Sequence, residues 1–422
     1  MSPSVDHPAS RKPSILLSPV FLFILVGCVG LLGFALSPLA QIKLGLFTYD
    51  HWFLDTFAIL AANDAVQLGR DPFLPNPLDF LNRPHCYSHW WFGLGPLGLT
   101  RVDNFLVGST WVLGFLASVF ATVRPRSGRS ACWYALLLLS PPVMLAIMRG
   151  NNDLVVFAAL AVGGLAFARD TPLRVTVAVA SIALAAGLKF YPGVAAAALL
   201  LVRPGSRLRW TIVIGGAVLA LVAADIWRDL QRATIPVSIN VYSFGAPLLL
   251  QDIGLHGRLA NVVGVLVLAI GGGWLAVRGQ TRGLARTDNG SLLERYLFAV
   301  GASLLVVCFV AGISYAYRWV FGLWLAPWLL GQWQAGRDPL ARWLPGGLCL
   351  LLTLCMWVDG LFCLVVNFLP GPIPVEVLDH WQFYWRFASQ PLNWILMVVL
   401  TGYLFDLARA AWAEMRGEPA VA

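Results

Sequence analysis

The stretch ILLSPVFLFILVGCVGLLGFAL, Ile15–Leu36, preceded by Arg11 and Lys12, decides the class of this chain. Its apolar run is longer than the roughly 7–15 residues of a signal-peptide core. As a helix it reaches across the ~30 Å of hydrocarbon in a bilayer. It therefore reads as an uncleaved first membrane helix, and the rest of the chain repeats the pattern. Of the 422 residues, 59% are apolar and 12% charged, with a mean hydropathy of +0.74. Soluble domains carry about 25% charged residues, and no stretch here is polar enough to form one.

Outward from Ile15–Leu36, further apolar runs predict helices near 104–123, 131–148, 152–168, 174–189, 191–202, 210–227, 258–277, 295–313, 317–334, 343–366 and 391–411. The run at 191–202 is short and reads as a half-helix. The expectation is an all-α polytopic membrane protein of about 12 helices (roughly 11–13) forming a single domain over 1–422. With the N-terminus inside, the inside connections hold Arg124/Arg126/Arg129, Arg169/Arg174, Arg203/Arg207/Arg209, Arg278/Arg282/Arg286/Arg295 and Arg337/Arg342. With Arg11, Lys12, Arg409 and Arg416 that makes 18 of the 29 basic residues, all in short connections or termini. This obeys the positive-inside rule and places both termini in the cytoplasm.

The net charge of +8 thus serves topology. No basic patch interleaves with aromatics as nucleic-acid binding requires, so no nucleic-acid partner is expected. Six of the seven cysteines lie in apolar runs and only Cys86 in an outside loop, which leaves no disulfide framework and no zinc spacing.

The outside segments are 41–103, 228–257 and 367–390. The last contains DHWQFYWRF (Asp379–Phe387), an interfacial composition. The first contains YDHWFLDTFAILAANDAVQLGRDPF (Tyr49–Phe73). There Phe53, Phe57, Leu60, Asp64 and Leu68 share one helical face, while Asp55 lies on another with Ile59 and Ala62. A helix lying on the membrane would hold Asp55 at the water–lipid boundary, where a carboxylate can take a proton from a substrate hydroxyl. Equally, Asp50 and Asp55 can simply cap that helix.

Next comes NRPHCYSHWWFGLGPLGL (Asn82–Leu99), in which Arg83, His85, Tyr87 and His89 alternate as on an extended strand. Two histidines and an arginine suit a phosphate. A metal is the weaker reading because a third ligand is missing, and aromatic anchoring of an interfacial loop explains the segment as well. Three polar clusters mark outside helix ends: Arg149-Gly150-Asn151-Asn152-Asp153, Lys189-Phe190-Tyr191-Pro192 and Tyr315-Ala316-Tyr317-Arg318. A single such cation snorkels harmlessly. Three on one face, opposite a loop with spare carboxylates, favour a shared anionic ligand. Helix centres carry almost no charge, Asp359 being the main exception, which speaks against an ion-coupled transporter.

Taken together these motifs resemble the GT-C membrane glycosyltransferases, and most closely glycosyltransferase family 87, whose members use polyprenol-phosphate sugars. The family's aspartate before a helix ending in a Gly-x-Asp-Pro-aromatic turn matches FLDTFAILAANDAVQLGRDPF, with Asp55 as the aspartate and Gly69–Phe73 as the turn. An Arg-Gly-Asn/Gln-x-Asp/Asn helix start matches RGNND at Arg149–Asp153. The LKFYP and YAYR segments, at Leu188–Pro192 and Tyr315–Arg318, match two further motifs. RPHCYSHWWFGLGPL resembles the family's aromatic Asn-Tyr-Pro segment, without its proline after Tyr87. The first loop also has no Asp-x-Asp motif.

The resemblance implies a GT-C-like fold in a bacterial inner membrane, with a catalytic first periplasmic loop. It implies transfer of a hexose, mannose-like, from a polyprenyl-phosphate donor to a lipid or glycan acceptor, with inversion. Asp55 would be the general base. Lys189, Arg318 and Arg149 would bind the donor phosphate. Arg83, His85, Tyr87, His89, Asn151, Asn152, Asp153, Tyr191 and Tyr315 would hold sugar or acceptor. A phosphate leaving group held by Lys and Arg needs no metal or other cofactor in principle. The rival readings are a transporter or flippase for a lipid-linked saccharide, a polysaccharide polymerase or ligase, and a scaffold subunit.

Overall fold

A computed structural model describes residues 18–46, 52–168, 171–202, 208–233, 241–285, 291–336, 339–369, 371 and 373–416. Asp50, Arg11, Lys12, Arg169, Arg203, Arg207, Arg286 and Arg337, and the side chain of Arg209, lie outside what is described.

The chain is an all-α membrane protein. Its helices are α1 (Pro19–Ala35), α2 (Pro38–Lys43), α3 (Leu54–Gln67), α4 (Asn104–Thr122), α5 (Gly128–Leu138), α6 (Pro141–Arg149), α7 (Asp153–Phe167), α8 (Pro172–Leu188) and α9 (Ala195–Val202). There follow α10 (Leu208–Arg232), α11 (Ala246–Asp252), α12 (Gly257–Val277), α13 (Arg282–Ala285), α14 (Leu292–Ala311), α15 (Leu325–Ala335), α16 (Pro339–Phe368) and α17 (Val375–Met415). Among the described residues the strand content is one antiparallel pair, β1 (Ser243–Phe244) with β2 (Ser314–Tyr315).

Among the described residues each expected apolar run is helical, but five helical stretches are long and apolar enough to cross a membrane: Arg101–Thr122, Gly257–Val277, Leu292–Ala311, Arg342–Phe368 and Glu376–Ala413. A sixth span arises if α5 and α6, bent by 55°, count as one. The bend has a local cause. Pro141 and Pro142 supply no backbone N–H to the turn before them, and α6 restarts with Ser140 extended ahead of it. Pro19–Ala35, Asp153–Phe167, Leu173–Leu188 and Tyr191–Val202 are shorter apolar helices, while the run at 210–227 lies within the 25-residue α10. The outside segment 367–390 also differs from expectation, because α17 already begins at Val375 and carries DHWQFYWRF as helix. Its Pro391 is tolerated inside the helix, so the apolar run starting there is only the second part of a longer element.

The core is aromatic and centres on α14, whose Tyr296, Phe298 and Phe309 are fully buried together with Trp319, Trp324 and Trp328 of the segment after it. By contrast α4 and α12 leave Phe105, Leu106, Leu113, Val262, Ile270 and Trp274 exposed. An apolar surface of that kind is what lipid-facing helices present.

Candidate functional site at the Asp55–Asp153 cluster

α7 packs against α4, α8 and α14, and each of the four has one end near Asp55 and Asp153. α6 arrives there too and stops at Gly150, whose φ of 54° closes the helix in the left-handed region. No other residue fits: a Cβ here would lie 2.4 Å from Thr56 Oγ1 and 3.0 Å from Phe53. Thr56 donates its hydroxyl to the Gly150 carbonyl at 2.8 Å, and the Phe53 N–H donates to the Met148 carbonyl at 2.8 Å. Phe53 itself takes φ 63°, a strained value for an aromatic residue. The first turn of α3 is thereby fastened to the last turn of α6.

That fastening aims Asp55 inward. Its carboxylate is buried against the protein body rather than held at a water–lipid boundary. Arg149 donates Nη2 to Oδ1 at 2.6 Å and Nε to Oδ2 at 3.0 Å. Asn151 Nδ2 donates to Oδ2 at 2.7 Å, and Arg83 Nη1 stands 3.6 Å from Oδ1. Arg83 is held in turn by Asp79, with Nη2 to Oδ2 at 2.7 Å, and by the Leu54 carbonyl at 2.9 Å.

A second carboxylate lies beyond Asn151. Asp153 begins α7, where its own N–H donates to Asn151 Oδ1 at 2.9 Å. The helix dipole favours a negative charge there. Arg318 Nη1 donates to both oxygens at 2.8 and 2.6 Å, Lys189 Nζ lies 2.6 Å from Oδ1, and Tyr191 donates its hydroxyl to the same carboxylate. Lys189, just past the end of α8, also donates to Asn152 Oδ1 at 2.6 Å. Tyr87, Tyr191 and Tyr317 surround the ammonium with ring centroids 5.4–5.8 Å away. Arg149 lies over Tyr315 at 5.3 Å, and Arg318 over Tyr191 at 4.4 Å.

Arg83, Arg149, Lys189 and Arg318 face Asp55, Asp79 and Asp153, so one positive charge is left over. Two donors in the cluster, Arg318 Nε and Asn152 Nδ2, are buried without a hydrogen-bond acceptor among the described residues. Buried donors normally have partners. A surplus cation and unused donors are what an anionic ligand would satisfy. Burial pushes the Asp55 carboxyl upward, but Arg149, Arg83 and Asn151 outweigh it and hold the group below the usual range.

No protein-family model and no curated protein sequence matches this chain. The arrangement itself therefore has to carry the functional reading. It joins Asp55, Arg83, Arg149, Asn151, Asn152, Asp153, Lys189, Tyr191 and Arg318 in one network, with Tyr87 and Tyr315 stacked against its cations.

The two histidines behave differently. His85 is buried beside Phe73, Tyr87 and Phe92, with Nε2 paired to the Ser88 carbonyl at 3.1 Å, and burial lowers its pKa to about 4. His89 turns away to α10, where Nδ1 meets Asp229 at 2.6 Å and Nε2 lies 3.4 Å from Asp225. Trp90 follows it and donates Nε1 to Asp225 at 2.6 Å. The alternation of Arg83, His85, Tyr87 and His89 therefore does not put all four on one ligand.

Asp79 and Tyr317 belong to the site without having been singled out as members. Tyr317 had a signal in the YAYR repeat of tyrosines; Asp79, four residues before the arginine it holds, had only that spacing. Among the described residues no three His, Cys, Asp or Glu side chains gather as metal donors.

Proposed function

We propose that the chain is a glycosyltransferase that uses a polyprenyl-phosphate sugar at the Asp55–Asp153 cluster. The observation that carries this reading is the buried network in which a carboxylate with an open coordination position adjoins a surplus of cations. A carboxylate has about four lone-pair positions. Three on Asp55 are taken by Arg149 and Asn151, leaving Oδ1 room for one hydroxyl. The acceptor hydroxyl oxygen attacks the anomeric carbon while its proton passes to Asp55. The bond from that carbon to the phosphate oxygen breaks, and the electron pair goes to the phosphate. Lys189, Arg318 and Arg149 stabilise the charge gained there. One displacement inverts the anomeric centre.

A lipid chain needs an apolar berth beside its phosphate. A cavity of about 290 Å³ lies two residues beyond Tyr191, lined by Val179, Ile182, Gly193, Val194, Leu199 and Leu219. It suits the first isoprenoid units. The distribution of arginines would put the site on the periplasmic face of a bacterial inner membrane, with both termini in the cytoplasm. The hexose would be mannose-like and the acceptor a lipid or glycan.

The test is sugar transfer from radiolabelled polyprenyl-phosphate sugars, by reconstituted wild type and Asp55→Asn, with membrane lipid extract as acceptor. Transfer that vanishes in a folded Asp55→Asn supports the reading; transfer that survives removes Asp55 as base. One observation favours a second reading, movement of a lipid-linked saccharide across the membrane. The depressed Asp55 carboxyl is a weak base while Arg149 holds it. On that reading Asp55→Asn leaves lipid translocation intact in a vesicle assay.

A further inference from the structure

The helices that meet at Asp55 and Asp153 enclose a second feature at their opposite ends. α7 starts at the site with Asp153 and ends at Phe167. α8 and α14 start away from it and finish beside Lys189 and Ser314. α4 leaves Asn104, bonded to the Trp52 carbonyl, and ends at Thr122. Between these remote ends lies a cavity of about 570 Å³. Its walls are Ala121, Leu165, Ala166 and Leu293, and its polar lining is Arg124 and Arg174. The 20 residues of α14 separate it from the site. At helical rise that is about 30 Å, the thickness of a hydrocarbon layer.

The two arginines differ from their neighbour. Arg126 is held by Glu294 at 2.7 and 2.9 Å. Arg124 donates only Nε, to the Ala121 carbonyl at 3.0 Å, and neither it nor Arg174 meets a carboxylate among the described residues. Among the described residues no acidic side chain lines the recess.

We propose that this recess binds one anionic phospholipid from the leaflet opposite the site. Its phosphodiester lies between the Arg124 and Arg174 guanidiniums, and an acyl chain covers Leu165 and Leu293. Unpaired guanidiniums suit phosphate oxygens, and basic pockets between membrane helices take such headgroups. Free phosphate would satisfy the charges but leave the apolar walls bare, which is why a lipid is the occupant. The bound lipid ties together the far ends of the helices that present Asp153 and Lys189.

Delipidated protein titrated with phosphatidylglycerol or phosphatidylcholine, and read by native mass spectrometry, tests this. Wild type is expected to retain one phosphatidylglycerol in preference to phosphatidylcholine. Arg124→Gln/Arg174→Gln should weaken that binding roughly thirtyfold, about fivefold for each basic residue. Leu165→Trp fills the recess and keeps both charges; it should lose the lipid as well, which guards against a misfolded double variant. Equal retention of the two lipids, or unchanged retention in either variant, overturns the proposal. So does inorganic phosphate that competes as strongly as the lipid and still binds Leu165→Trp, because the site would then be one for the free anion.

Discussion

Arg149 closes on both oxygens of Asp55, at 2.6 and 3.0 Å, although 94 residues separate them in the chain. The pair joins the segment between α2 and α4 to the end of α6. It also makes the proposed base and a proposed phosphate ligand one unit before any substrate arrives. A donor phosphate that draws Arg149 toward itself would free Asp55 to accept a proton.

The pair is also structural. Arg149→Ala leaves a buried carboxylate with Arg83 and Asn151 alone, and should destabilise the protein by about 3 kcal/mol. Arg149→Ala and Asp55→Asn together should cost less than the sum of the two, with a coupling of about 1–3 kcal/mol. Denaturation in detergent of the four proteins of the cycle measures this, and strict additivity would contradict it.

Gly150→Ala forces a Cβ into a left-handed residue and against Thr56 Oγ1. The strain and the clash should cost about 1–3 kcal/mol and, on the proposed function, lower donor affinity, since Arg149 and Asn151 flank the turn. Adding Thr56→Ala should recover the steric part only. Melting curves of the single and double variants separate the two contributions.

His85 supplies a pH signature. Burial lowers its pKa from 6.5 to about 4, so the folded protein keeps it neutral while the unfolded chain protonates it. The unfolded state binds the additional proton between those values, and stability therefore rises with pH across that window. The contribution is complete above 6.5 and lost as pH falls toward 4. It amounts to about 3 kcal/mol at neutral pH. His85→Gln should flatten the corresponding part of a Tm-against-pH curve relative to wild type.

Trp90 lies across Gly187, where an added Cβ would stand 2.1 Å from its ring. Gly187→Ala should therefore cost about 1–3 kcal/mol through overpacking. On the proposed function it should also raise KM for the donor, because Lys189 is two residues further on. Trp90→Leu is expected to restore much of the stability of Gly187→Ala; a Gly187→Ala protein with wild-type stability and KM would show that this contact does not position Lys189.

The site was legible where chemistry breaks an apolar background. Each of RGNND, LKFYP and YAYR places a cation at a helix end, and the three do converge. Asp55 was legible as a carboxylate near the start of a helix, but its direction was not. Whether that helix lies on the membrane or against the body depends on Phe53 and Gly150, which touch only in the fold. Asp153 read as a residue to hold sugar or acceptor, whereas in the fold it organises Lys189, Tyr191 and Arg318 through contacts up to 165 residues apart. His89 stands apart from the cluster for a similar reason, since its partners Asp225 and Asp229 lie about as far along the chain on another helix. Span length was the weakest inference. Hydropathy runs show which residues avoid water but not whether lipid or protein surrounds them, and runs such as Asp153–Phe167 are short helices with largely buried faces.

The fastening of α3 to α6 at Gly150 has a consequence for engineering. The segment between α2 and α4 is not a detachable cap on a membrane scaffold, because its first helical turn and the arginine opposite form one rigid joint. A chimera that exchanged this segment alone with that of another membrane protein would separate Thr56 from Gly150 and Asp55 from Arg149. Specificity would have to be transplanted as a composite of both pieces, with the Pro141–Asp153 stretch carried along.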